Sequence, residues 1–148
     1  MLQGINRLLV GRLLAALDEA GHSDGILVCD AHFPAARLGA RVVDLPAVGA
    51  PEALSAICSV ITIDNYDEAP GLDLMSSNDE KLLPIHEELT AAAGISINDA
   101  RFVGRFEFYK NAATAFVIIR TGEVRTYGNV LVRKGLVTPL ESARIFVR

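Results

Sequence analysis

Short apolar runs alternate with segments of helical periodicity along almost the whole of this chain, and this alternation restricts its fold more than any other feature. Leucines spaced three and four residues apart predict a first helix over residues 5–20, with Gly21 as a natural stop. The run Gly25–Cys29 then predicts a buried strand. A chain that alternates helices and strands in this way forms a layered sheet. We therefore expect an α/β fold.

The same periodicities assign the other elements. Further strands are predicted at residues 41–45, 72–75, 102–103, 115–119 and 130–133. Further helices are predicted at residues 51–59, from Pro84 to just before Gly94, and at residues 106–113, where Phe106 and Tyr109 would face the core. Residues 60–63 fit either a strand or the end of a helix. No repeat or linker interrupts the pattern, so we expect one domain over residues 1–148.

Composition excludes several classes of protein. Of the 148 residues, 51% are hydrophobic and 22% are charged, which fits a well-buried domain and excludes disorder. A formal net charge of −4 argues against a nucleic-acid partner. No stretch approaches the ~18 apolar residues of a membrane span, so no membrane partner is expected. Cys29 and Cys58 lack metal or CxxC spacing, which indicates reduced thiols and a cytoplasmic protein.

Several common catalytic motifs are missing from the sequence. No GxGxxG follows the first strand and no GxxxxGK[ST] occurs, so a dinucleotide site and a P-loop lack support. The chain also contains no HExxH helix and no GxSxG elbow. Any catalytic residues of this chain therefore belong to a less common arrangement than these motifs.

Two polar clusters bracket the strand Gly25–Cys29. His22 precedes it, whereas Asp30 and His32 follow it. The unperturbed pKa of histidine, about 6.5, suits proton transfer near neutral pH. The alternatives are that His22 complements the carboxyl end of the first helix, that Asp30 caps a loop and that His32 is simply exposed. Two more are a metal site of these three side chains, and a nucleophilic Cys29 beside His22.

Two later segments add candidate binding groups. Arg105 precedes a predicted helix, and its guanidinium can hold two hydroxyls of a polyol as well as a carboxylate. Tyr127, Gly128 and Asn129 lie between the last two strands and offer a hydroxyl, close backbone approach and an amide. The alternatives are an ordinary amphipathic helix for the first segment and a hairpin connection for the second.

Together these motifs resemble the L-fucose mutarotases, which share a superfamily with D-ribose pyranase. The resemblance covers residues 2–139, and residues 140–148 read as a C-terminal extension. Its departures are Cys29 before Asp30 and a long acidic loop at residues 64–73. The aromatic pattern of residues 105–109 is similar to the fucose type. The matching segments are Gly21-His22-Ser23-Asp24, Cys29-Asp30-Ala31-His32-Phe33-Pro34, Arg105-Phe106 with Phe108-Tyr109, Thr121-Gly122-Glu123, and Tyr127-Gly128-Asn129 with Lys134-Gly135.

The resemblance implies a fold and an activity. The fold would be a ribose-pyranase-like three-layer α/β/α sandwich with a central mixed, largely parallel sheet. The activity would be exchange of the α and β anomers of L-fucose or a related pyranose by acid–base ring opening, with no cofactor and no metal. A homodecamer or another homo-oligomer, with sites near subunit boundaries, is implied as well.

The resemblance also implies roles for single residues. His22 would be the proton donor, and His32 would lie close by as a second proton-transfer group. Phe33 and Tyr109 would form apolar walls of the pocket. The residues implied to hold sugar hydroxyls are Asp30, Arg105, Tyr127, Gly128 and Asn129, and Tyr127 could also relay a proton. Two alternatives stay open, namely pyran–furan interconversion of D-ribose and a monosaccharide-binding module without catalysis.

Overall fold

A computed structural model describes residues 2–66 and 70–139, and within them six strands form one sheet. The strands are β1 Gly25–Cys29, β2 Val42–Leu45, β3 Leu72–Met75, β4 Arg101–Val103, β5 Val117–Thr121 and β6 Val130–Arg133.

The order of the strands in the sheet is β2-β5-β1-β6-β3-β4. The strand β6 runs antiparallel to β1 and β3, and the remaining pairs are parallel. The mixed, largely parallel sheet is thereby confirmed. The carboxyl ends of five strands and the start of β6 share one edge, called here the carboxyl edge.

Helices cover both faces of the sheet. Side chains alternate between the faces of a strand, so Ile26 and Val28 of β1 enter one core while Leu27 and Cys29 enter the other. Helices α1, α3 and α4 pack on the first face, and α2 and α5 on the second. The arrangement has three layers, α/β/α, as expected. The helices are α1 Gly11–Glu19, α2 Ala35–Leu38, α3 Ala50–Cys58, α4 Pro84–Ala93 and α5 Arg105–Ala112, with a 3₁₀ turn at Ile97–Asp99.

The first helix is shorter than its leucine spacing predicts. It begins at Gly11 rather than near residue 5. Gly4 has φ +85°, and Oδ1 of Asn6 accepts a hydrogen bond from the Leu8 N–H at 2.9 Å. A left-handed glycine and a side-chain bond to the nearby backbone both compete with helical hydrogen bonding. Periodicity alone therefore extended the helix too far.

Smaller corrections concern α5 and its surroundings. Phe108 and Ala112 face the core, whereas Phe106 is 70% exposed, so the prediction for Phe106 was wrong. Tyr109 is partly buried and packs against the core, as predicted. Strand β5 lies two residues later than predicted, and α2 was missed. Residues 60–63 form no strand, with only Ile63 making an isolated bridge to Lys134. The extension at residues 140–148 and part of the acidic loop, residues 67–69, lie outside the described residues.

Candidate active site

A cavity of about 280 Å³ opens at the carboxyl edge of the sheet. The end of β1, the end of β3, the start of α5 and the loop before β6 all contribute to it, which is why residues distant in sequence meet there. Seven predicted site residues line it, together with Met75 and Thr126. The seven are Asp30, His32, Phe33, Arg105, Tyr109, Tyr127 and Asn129.

Asp30 forms the buried base of this cavity, with only 4% of its surface exposed. Its Oδ2 accepts a hydrogen bond from Nδ2 of Asn129 at 2.7 Å, and its Oδ1 accepts one from the His32 N–H at 2.9 Å. Burial raises the pKa of the Asp30 carboxyl above its ordinary value, while the Asn129 bond opposes that rise. Each carboxylate oxygen retains a further lone pair. The side chain is therefore held in place with acceptor capacity left over.

The side chain of Asn129 is largely committed to holding Asp30. Its Oδ1 accepts the Asp30 N–H at 2.9 Å, so the two residues are joined by two hydrogen bonds across 99 positions of sequence. Its remaining polar contact is Nδ2 to Sδ of Met75 at 3.7 Å, a weak acceptor. Asn129 thus orients the carboxylate as much as it presents groups of its own.

Tyr127 reaches the cavity from an unusual backbone conformation. Its φ is +65°, a left-handed value that is uncommon for residues other than glycine. Gly128 behind it is buried, and a Cβ there would lie 2.9 Å from Cγ of Glu123 and 3.2 Å from the Arg125 carbonyl oxygen. Gly128 does not line the cavity, so close backbone packing, rather than a side chain, explains the glycine.

Arg105 and the aromatic residues form the opposite side of the cavity. Arg105 is the first residue of α5, and its guanidinium carbon lies 4.8 Å from the ring centre of Phe106. Among the described residues, no carboxylate forms an ion pair with it, so its donors are open to a ligand. Phe33 packs edge-on against Tyr109 at 5.5 Å between ring centres, which makes an apolar wall.

His22 lies at the opposite edge of the sheet, away from this cavity. Strand β1 separates it from Asp30, and five residues span about 16 Å in a strand. Nε2 of His22 lies 3.1 Å from Oδ1 of Asp64, whose Oδ2 accepts a hydrogen bond from Ser23 Oγ at 2.8 Å. That bond from Ser23 is the main cause that lowers the pKa of the Asp64 carboxyl. The structure of one chain therefore does not bring His22 together with the other candidates.

Lys134, not His22, complements the carboxyl end of the first helix. Its Nζ donates hydrogen bonds to the carbonyl oxygens of Leu17 at 2.8 Å and Ala20 at 2.6 Å. A cation at this position is favoured by the helix dipole. The alternative that His22 serves this purpose is wrong, and its contact with Asp64 needs another explanation.

Two further alternatives also fail. Cys29 is fully buried at the far end of β1 from His22, and burial raises the pKa of its thiol strongly, so it is not an activated nucleophile. His22, Asp30 and His32 do not form a metal-ligand set, because β1 separates the first from the other two. Over residues 2–66 and 70–139, no cluster of three such side chains is placed to hold a metal ion.

The sequence reasoning missed Asp64, Met75, Thr126 and Glu123. Asp64 belongs to the acidic loop noted as a departure, but its contact with His22 spans 42 residues. Met75 ends β3 and reads as core, since nothing local distinguishes it from other strand residues. Glu123 ends the matching segment Thr121-Gly122-Glu123, which gave it no role, and Thr126 directly precedes the segment Tyr127-Gly128-Asn129. Their neighbours offered the only signal for these two residues.

A family model described as the RbsD / FucU transport protein family matches residues 3–137. The chain belongs to this family. The resemblance drawn from its motifs is confirmed at this level. In this RbsD/FucU member, the motif segments lie at both edges of the sheet rather than in one place. No helix in the described part of the chain has the length and apolar character needed to cross a bilayer.

Relatives of this RbsD/FucU chain carry mutarotase names. An L-fucose mutarotase of Actinobacillus pleuropneumoniae is 36% identical over 145 residues, which are 95% of this chain and 100% of that protein. A fucose mutarotase of Homo sapiens is 34% identical over 145 residues, covering 91% and 94%. The crystal structure of the fucose mutarotase from Streptococcus pneumoniae in complex with L-fucose matches with a TM-score of 0.83 at 26% identity, covering 93% of this chain and 100% of that one.

Proposed function

We propose that this chain is a sugar mutarotase that interconverts the α and β anomers of L-fucose or a related pyranose. The observation that carries the proposal is Asp30, a buried and oriented carboxylate at the base of a cavity that Arg105 and Tyr127 also line. The names of the relatives support the same activity and substrate class.

Anomer exchange needs a small set of groups. Ring opening requires one proton delivered to the ring oxygen and one removed from the anomeric hydroxyl, and closure on the other face reverses these transfers. No electron pair leaves the sugar, so the reaction needs only acid–base groups and groups that hold hydroxyls. A positioned acid–base side chain contributes about 10²–10⁴-fold to such a step.

The cavity supplies the groups that hold a sugar. Asp30 accepts hydrogen bonds from sugar hydroxyls with the lone pairs left over from Asn129 and His32, and Arg105 and Tyr127 donate hydrogen bonds. Gly128 does not line the cavity, and its part is to allow the close backbone packing behind Tyr127. The wall of Phe33 and Tyr109 faces an apolar part of the ligand, such as the methyl group of a 6-deoxy sugar.

A neighbouring copy of the chain supplies His22. Because β1 separates His22 from the cavity of its own chain, a proton donor at that position acts on a sugar held by another protomer. The imidazole is accessible for this purpose, with 34% of its side chain exposed beside Tyr66 at 5.6 Å. A homo-oligomer, such as the decamer implied by the motifs, is therefore part of the proposal.

His32 is the alternative donor, because it lines the cavity of its own chain. His32 would be the histidine that lines the site of a monomeric enzyme. The substitutions His22→Ala and His32→Ala separate the two arrangements.

The compartment and the domain organisation belong to the same proposal. We place the enzyme in the cytoplasm, because Cys29 and Cys58 are both free thiols and reducing compartments preserve such thiols. We also treat the chain as one sugar mutarotase domain, since His22 and the cavity lie at the two edges of a single sheet.

Saturation-transfer NMR on a panel of sugars tests the activity. The wild-type protein should transfer saturation between α- and β-fucose well above the solvent rate, and His22→Ala should lose about 10²–10⁴-fold of that enhancement. Transfer between the pyran and furan forms of D-ribose, without fucose exchange, would favour the pyranase alternative. Fucose binding with exchange at the solvent rate would favour a binding module.

Mixing two inactive variants tests the shared site. His22→Ala and Asp30→Ala protomers, mixed and reassembled, should recover activity because about one interface in four carries both intact groups in a heterologous ring. If each site were built within one protomer, the mixture would stay inactive.

A further inference from the structure

Arg125 joins the loop before β6 to α4, a helix on the face of the sheet opposite to α5. Its guanidinium donates hydrogen bonds to both carboxylate oxygens of Glu88 on α4, at 2.7 and 2.9 Å. It also donates to both oxygens of Glu123, from Nε at 2.9 Å and from Nη2 at 3.0 Å. One side chain thus bridges two carboxylates with four hydrogen bonds, a geometry that lysine cannot reproduce.

Glu123 connects this bridge to both loops that line the candidate active site. Its backbone carbonyl accepts the Ala31 N–H at 2.8 Å, between the two site residues Asp30 and His32. Its side chain is 6% exposed and accepts the Arg125 backbone N–H at 3.0 Å. The contact with Arg125 also lowers the pKa of the Glu123 carboxyl. Glu123 is therefore a buried, charged residue that is held in place by contacts with both loops.

Residues 125–129, which Glu123 contacts, contain an unfavourable backbone conformation. Tyr127 keeps φ at +65°, a conformation that costs of order 1 kcal/mol or more for a residue with a side chain. Behind it, Gly128 packs so closely that an added Cβ would meet Glu123 and the Arg125 carbonyl oxygen. A strained segment of this kind persists when surrounding contacts determine it.

We propose that Arg125 is a positioning residue, which holds residues 125–129 between Glu123 and Glu88 so that Tyr127 faces the sugar-binding cavity. The inference rests on the proposed function, because Tyr127 acts there on a sugar. Neither Arg125 nor Glu88 lines the cavity, so both act through the loop. Loss of the bridge lets the loop sample other conformations, and the sugar must then select the competent one.

Kinetics and hydrogen exchange test the bridge together. Glu88→Gln should raise KM for fucose exchange by about two- to fivefold, the effect of losing one exposed ion pair, while kcat changes little. Arg125→Ala should raise KM by about tenfold because buried Glu123 also loses its partner. Arg125→Lys should recover part of the loss. Amides of residues 122–130 should exchange faster in the same order of variants.

Glu19→Gln is the matched control for Glu88→Gln. Glu19 is also a helix glutamate paired with an arginine, Arg41, at similar exposure, 55% against 47%. It should leave KM and the exchange of residues 122–130 unchanged. Equal effects from Glu19→Gln and Glu88→Gln would overturn the proposal, as would wild-type KM and amide exchange in Arg125→Ala.

Failure of the proposed function would look different. A wild-type protein that leaves fucose anomers at the solvent rate would refute the mutarotase activity. The amide exchange of residues 122–130 would still show whether Arg125 and Glu88 hold the loop, because that measurement needs no substrate.

Discussion

Nε2 of His22 lies 3.1 Å from Oδ1 of Asp64, and this pair is set at the edge of the sheet opposite the candidate cavity. Ser23 and the Tyr66 N–H donate further hydrogen bonds to the same carboxylate, at 2.8 and 3.1 Å. Since a carboxylate only accepts, Nε2 carries the proton in the neutral ring, and Nδ1 is then the unprotonated nitrogen.

Asp64→Asn should slow anomer exchange. The amide has one acceptor oxygen in place of two, so it cannot accept from both the His22 ring and the Ser23 hydroxyl as the carboxylate does, and the imidazole loses its fixed orientation. The measurement is kcat/KM for fucose exchange. Ser23→Ala, which leaves the His22 contact with Asp64 in place, should lower the rate less. An unchanged kcat/KM in Asp64→Asn would show that Asp64 does not orient the imidazole.

Asp73→Asn should strongly destabilise the fold. Asp73 is fully buried on β3 and accepts hydrogen bonds from Arg101 at 2.8 Å and from Arg133 at 2.7 Å. Removing one partner from a buried ion pair costs about 3–5 kcal/mol. Urea titration at fixed protein concentration measures the free energy of unfolding.

The exposed pair of Asp44 and Arg120 provides the comparison for Asp73. The side chain of Asp44 is 46% exposed, so Asp44→Asn should cost about 1 kcal/mol or less. Equal costs for Asp44→Asn and Asp73→Asn would mean that burial does not strengthen the Asp73 cluster.

Gly122→Ala should destabilise the turn between β5 and Glu123. An added Cβ would collide with the carbonyl oxygen of Pro46 and lie 3.0 Å from its carbonyl carbon, and backbone atoms do not yield easily. We expect a loss of about 1–3 kcal/mol in the free energy of unfolding, together with lower activity. Gly11→Ala, at the start of α1 with nothing within 4 Å of the new Cβ, should instead be neutral or stabilise by about 0.5 kcal/mol. The reverse ranking of these two variants would contradict the geometry.

His86 should make the fold sensitive to mild acid. It is fully buried, its Nδ1 accepts the Leu83 N–H at 3.2 Å and its Nε2 donates to the Met75 carbonyl at 3.1 Å. Burial lowers the pKa of the imidazole. Below about pH 6.5 the unfolded chain therefore binds a proton that the folded state does not, and stability falls as pH falls.

Urea titrations between pH 7.5 and 5.5 check the His86 prediction. The slope attributable to this one group is at most about 1.4 kcal/mol per pH unit. His86→Gln should be less stable at pH 7.5 and should lose this part of the slope. The other two histidines are unchanged in the variant, so their contribution cancels in the comparison. An unchanged slope in His86→Gln would assign the acid sensitivity elsewhere.

The order and type of most secondary-structure elements were predictable from the sequence. Runs such as Gly25–Cys29 and Leu72–Met75 are short, apolar and bounded by polar residues, and these are local properties. Two predictions were wrong for different reasons. The first helix begins later than predicted because of local backbone features at Gly4 and Asn6, which hydrophobic spacing does not report. The inward face of α5 depends on its packing against the sheet, which buries Phe108 rather than Phe106.

The candidate site also has one part that was predictable from the sequence and one part that was not. The sequence by itself determined which residue types are available, since Asp30, Arg105 and Tyr127 belong to recognisable segments. Only the tertiary structure joined Asp30 to Asn129 across 99 residues and His22 to Asp64 across 42. It also decided that these two pairs lie at opposite edges of one sheet. The physical reason is that strand direction and sheet order place side chains in space, and both arise from contacts between segments far apart in sequence.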